Sequence, residues 1–76
     1  MKYKAIPAQM RPNGTIEGLI RYYNSHGLEQ EELRYLVAEF NRLNPDAQPP
    51  KPYQLVQMPV LLEYVNRHET KENPQS

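Results

Sequence analysis

The chain is 76 residues long with nine basic and nine acidic residues, giving zero formal net charge, and it has no cysteine. That length makes one small domain, whose single core leaves only about 3–5 kcal/mol of stability. The charge balance argues against general nucleic-acid binding, which needs a basic excess or stripe, and the missing thiols exclude disulfides and thiolate metal sites.

Residues Met1–Ile6 alternate lysine with larger side chains, as an edge strand does, and Pro7 interrupts them. Ala8-Gln9-Met10 is a second short extended candidate. No apolar h-region follows Met1, so no signal peptide is expected. The apolar runs of the chain are a few residues long, and none should span a membrane. Pro12-Asn13-Gly14 reads as a turn, with Asn-Gly suited to positive φ. Thr15 stands at an N-cap position. Ile16, Leu19, Ile20 and Tyr23 then recur at i, i+3, i+4 and i+7, predicting a first helix over 16–26. Gly18 within it points to close packing against another element, and Gly27 reads as a C-cap glycine.

The longest pattern is Leu28–Pro45. Leu33, Leu36, Val37, Phe40 and Leu43 make one helical face, and Glu29, Glu31 and Glu32 crowd the first turn, where the helix dipole favours them. Pro45 stops this second helix, predicted over 29–43. Pro49, Pro50 and Pro52 make a stiff loop. Tyr53–Met58 has strand composition, with Pro59 expected to end it. Val60–Val65 fits either a strand or a helical turn, and the stretch from His68 onward is polar.

This order of elements, with three local motifs, resembles the lysin-motif (LysM) family. Asn13-Gly14-Thr15-Ile16 stands where the family has Gly-Asp-Thr-Leu, Leu43-Asn44-Pro45 matches its second-helix terminus, and Val56-Gln57-Met58-Pro59 matches its closing strand. The resemblance implies an α+β domain of βααβ order, with two helices packed on a two-stranded antiparallel sheet. It covers residues 8–59, leaving 1–7 as an N-terminal arm and 60–76 as a C-terminal extension. It also implies a glycan site at Asn13, Gly14, Thr15, Asn44, Pro45 and Asp46. Turn, N-cap and helix-stop roles explain the same six residues without a ligand.

Catalytic chemistry has little to work with. His26 and Ser25 are adjacent and diverge on a helix, His68 has no metal-ligand spacing to His26, and Glu31 and Glu32 point apart. A recognition helix carrying Glu31, Glu32 and Glu39 would repel phosphate. Six tyrosines without tryptophan point instead to contact surfaces, protein or sugar, with Tyr22 and Tyr35 off the apolar faces. We therefore expect a non-enzymatic interaction module without cofactor or metal. Val60, Leu61, Leu62, Tyr64 and Val65 are expected to form an apolar docking patch. Among LysM-containing proteins the resemblance favours a structural virion component of a phage tail or baseplate, packed with other assembly proteins in a ring. The alternative is a peptidoglycan-binding module recognising N-acetylglucosamine-containing glycan.

Overall fold

The computed structural model describes residues 1–65. Four elements follow in the order β1 (Tyr3–Gln9), α1 (Ile16–Tyr23), α2 (Gln30–Leu43) and β2 (Leu55–Leu61). The two strands pair antiparallel as one sheet, and both helices pack on it, chiefly against β2. The expected α+β, βααβ architecture is therefore observed. His68 and the rest of the polar stretch lie outside the described residues.

Both strands run through prolines that the sequence pattern read as interruptions. The register explains why. Tyr3 lies opposite Leu61, Ala5 opposite Pro59, and Pro7 opposite Gln57. The bonds Met10 N–H to Gln54 C=O (2.9 Å) and Leu62 N–H to Lys2 C=O (3.2 Å) close the ladder at its two ends. Antiparallel pairs alternate between bonded and non-bonded, so the even-numbered residues face across the ladder. Pro7 and Pro59, both odd, sit where an N–H would point away from the partner strand. Neither removes a ladder bond. The sheet thus reaches into both segments expected to flank residues 8–59.

This register also corrects the expected docking patch. Because β2 continues past Pro59, Val60 lies opposite Lys4 and Leu61 opposite Tyr3. Val60, Leu61 and Val65 are buried in the core of the same chain, at 0%, 4% and 7% exposure. Successive buried residues within one strand mean that both of its faces are covered. Of the five residues, only Leu62 is exposed, while Tyr64 is half-buried against the core. Residues 62–65 turn helical directly after the strand.

The core is built from Ile20, Leu36, Phe40, Met58 and Val60, all inaccessible to solvent, with Met10, Leu19, Leu33 and Val56 around them. Helix α1 starts at Thr15, whose Oγ1 accepts from Gly18 N–H at 2.9 Å. A Cβ on Gly18 would come within 3.0 Å of that same Oγ1. Gly18 therefore accommodates the cap rather than a neighbouring element. The helix ends at Tyr23, short of the predicted His26, because Asn24 is drawn into the core. Gly27 is not in a positive-φ cap, and no described glycine has positive φ. Its N–H is taken by Ser25 Oγ. In the first turn of α2, the Glu32 carboxylate accepts from Glu29 N–H at 3.0 Å.

The two helix termini end in the same device. Asn24 and Asn44 are both buried, at 0% and 5% exposure. Asn24 Nδ2 donates to Ile20 C=O (2.9 Å) and Pro59 C=O (3.2 Å), and its Oδ1 accepts from Leu61 N–H (2.8 Å). Asn44 Nδ2 donates to Phe40 C=O and Gln57 C=O (both 2.9 Å), and its Oδ1 accepts from Gln57 N–H (2.8 Å). Gln57, Pro59 and Leu61 are the odd-numbered residues whose polar groups point off the sheet. Two side-chain amides thus satisfy the outer edge of β2 and tie each helix to it. A bare edge would invite pairing with another chain.

Candidate functional site

Three surface features merit comparison. The first is a groove of about 540 Å³ lined by Gly14, Thr15, Ile16, Glu17, Val37, Pro49 and Pro50. One wall is the first turn of α1, and the opposite wall is the proline loop after α2. A smaller depression of about 280 Å³ shares Glu17 and Val37 with it and adds Gln30, Leu33, Arg34, Ala38 and Asn41. The two form one continuous surface along α1 and α2.

Of the six residues proposed for a glycan, Gly14 and Thr15 line this groove. Asn13, Pro45 and Asp46 are exposed but stand outside its lining. Asn44 is withdrawn altogether. Its amide makes three bonds to backbone, as described above, and has no donor to spare. The polar supply of the groove is small. Thr15 Oγ1 already accepts from Gly18 N–H, and Glu17 lies 3.9 Å from Arg21 in an exposed i,i+4 pair. Its walls are otherwise aliphatic and proline surface.

The second feature ties the start of β1 to α2. Tyr3 Oη donates to Glu39 Oε1 at 2.6 Å, and Arg42 Nη2 donates to Tyr3 Oη at 3.0 Å and to Glu39 Oε1 at 2.8 Å. The Tyr3 and Tyr35 rings meet edge to face with centroids 6.1 Å apart. The hydrogen bond to Glu39, with burial, pushes the Tyr3 phenol above its ordinary pKa. The bonds from Tyr3 and Arg42 hold the Glu39 carboxyl below the usual glutamate range. This cluster is a clasp with no nucleophile. Tyr64 is likewise held above its ordinary pKa, chiefly by a hydrogen bond with Glu63.

The third is a cleft of about 400 Å³ on the other flank of α1, lined by Gln9, Met10, Arg11, Pro12, Leu19, Tyr22, Tyr23 and Tyr53. Sequence reasoning placed Tyr22 at the surface but did not bring it together with Tyr53 and Arg11. Nothing in Lys51-Pro52-Tyr53 signals the backbone that does so. Tyr53 has a φ of 63°, the only described non-glycine residue in that region.

Among the described residues, no group of three His, Cys, Asp or Glu side chains could hold a metal ion. No helix there is long and apolar enough to cross a membrane. His26 is exposed.

No family model, curated protein or solved structure matches the chain.

Proposed function

We propose that the chain is a non-catalytic interaction module that docks a protein partner in the groove between α1 and the proline loop. The observation that carries this reading is the groove's composition. A polyhydroxylated sugar buried there would leave hydroxyls without partners, at about 1–3 kcal/mol for each group. An apolar side chain from a protein loses nothing of that kind. Ile16, Val37, Pro49 and Pro50 supply the matching surface.

The narrower assignment follows the LysM resemblance alone. It makes the chain a structural component of a phage tail or baseplate, with neighbouring copies arranged in a ring. The docking surface is the groove and not the 60–65 segment, half of which lies in the core.

Peptidoglycan recognition is the second reading, and one observation favours it. The groove lies where the family places its glycan, with Gly14 and Thr15 on one wall. Co-sedimentation with insoluble peptidoglycan separates the two. Protein docking in the groove predicts that Val37→Arg leaves any sedimentation unchanged. Sedimentation that Val37→Arg abolishes, with helicity intact by circular dichroism, would overturn it.

A further inference from the structure

We propose that the tyrosine cleft on the other flank of α1 is a binding site for a carboxylate-bearing saccharide of one or two rings. The inference is independent of the groove and of the protein that occupies it. Four observations converge on it.

The lining is aromatic and polar together. Tyr22 and Tyr53 are 53% and 61% exposed, so both rings offer surface to a ligand. Met10 and Leu19, at 2% and 5% exposure, are buried lining residues that close the cleft toward the core. Phenol, amide and guanidinium groups surround that apolar base. The face of a pyranose ring presents C–H groups that fit the negative face of an aromatic ring, and its hydroxyls need donors and acceptors. This is the polar supply that the first groove lacks.

The cleft has a charge preference. Among the described residues Arg11 is its one charged lining residue, and no carboxylate of theirs lines it. The Arg11 guanidinium carbon lies 5.2 Å from the centre of the Tyr22 ring. Tyr23 meets Tyr22 edge to face, with centroids 5.2 Å apart. A cation–π contact over a braced ring pre-positions the guanidinium, whose fork suits a carboxylate. The volume, about 400 Å³, falls in the range of small-ligand sites.

Tyr53 is held in place at a cost. Left-handed backbone costs a residue with a side chain roughly 1–2 kcal/mol. Tyr53 N–H nonetheless donates to Met10 C=O at 3.0 Å, and Gln9 Nε2 donates to Tyr53 C=O at 3.1 Å. A mostly exposed ring gains little from burial in return. Strain of this kind, at an exposed aromatic lining a cleft, fits a ligand contact.

The test is a ¹⁵N-correlation NMR titration of the full chain. The probes are a glucuronate-bearing hyaluronan disaccharide and neutral N,N′-diacetylchitobiose. The proposal expects the acidic probe to shift the signals of Gln9, Met10, Arg11, Tyr22 and Tyr53, and the neutral probe to bind at least about tenfold more weakly. Arg11→Gln should weaken the acidic probe by about tenfold or more. Tyr53→Gly should lose binding without losing thermal stability, because glycine takes the same φ freely. Full affinity in Tyr53→Gly, equal affinity for both probes, or shifts confined to the Gly14–Pro50 groove would each overturn the proposal. So would saturation by an acidic proline-rich peptide with no response to either saccharide.

Discussion

Replacing Asn24 by alanine should be among the most damaging single changes in this fold. The amide joins three backbone groups, and Ile20 C=O retains the Asn24 backbone N–H as a second donor at 2.9 Å. Pro59 C=O and Leu61 N–H lose the amide that bonds them. Both belong to buried residues, and each unsatisfied group costs about 1–3 kcal/mol. The sum is about 2–6 kcal/mol, against a total stability of about 3–5 kcal/mol for a domain of this size. Even the low end should lower Tm by about 8–16 °C. Urea unfolding followed by far-ultraviolet circular dichroism reads the change, with the slope checked for two-state behaviour. A loss under about 0.5 kcal/mol, the level of an ordinary surface substitution, would refute the reasoning. Asn24→Asp sharpens the test. Its carboxylate keeps the acceptor for Leu61 N–H but has no donor for the two carbonyls, whereas its acid form has one. The folded-state pKa must therefore lie above the unfolded value of about 3.9. The acid form's contribution is complete below that value and lost as pH rises through the raised pKa.

Further consequences follow from the same contacts. Thr15→Ala removes the α1 cap and should cost about 1 kcal/mol, read as a fall of about 4–8 °C in Tm. Gly18→Ala should gain nearly the full helix-propensity increment of about 1 kcal/mol only in the Thr15→Ala background, since the clash is with Thr15 Oγ1. Additivity of the two changes would refute the assigned contact. The Tyr3–Glu39–Arg42 clasp gives two pH limbs. Glu39 is depressed, so its contribution holds above the usual glutamate range and is lost as pH falls through the lowered value. Tyr3 is raised, so its contribution is complete below the usual phenol range and lost as pH rises through the raised value. Glu39→Gln should flatten both limbs in a Tm–pH profile.

The helices and their order were legible because their signals are local. The 3.6-residue apolar period and the stop at Asn44-Pro45 depend on neighbours along the chain. The strands were harder to bound, because a proline's effect depends on whether its missing N–H faces the partner strand. That parity is set by pairing with residues fifty or more positions away, as for Pro7 with Gln57 and Ala5 with Pro59. The same blindness made Val60, Leu61 and Val65 look like surplus apolar surface. Asn44 was read as a helix stop and a candidate ligand contact, and its amide is bonded to Gln57 and Phe40. Asn24 carried no motif and does the same work. The tyrosine cleft was half visible: Tyr22 lies off the apolar stripe of α1, but the backbone that brings Tyr53 to it leaves no mark in composition.

The central claim, that the α1–proline-loop groove docks a protein, is tested most directly by photo-crosslinking in the cells that make the chain. A photoreactive residue placed at Val37 reports on the groove, and one at the exposed Glu31 on α2 serves as the control. The account predicts a covalent adduct from position 37 alone, joining the chain to a structural subunit of a sedimenting particle. A chain that gives no adduct from position 37, remains monomeric and co-sediments with peptidoglycan would contradict it.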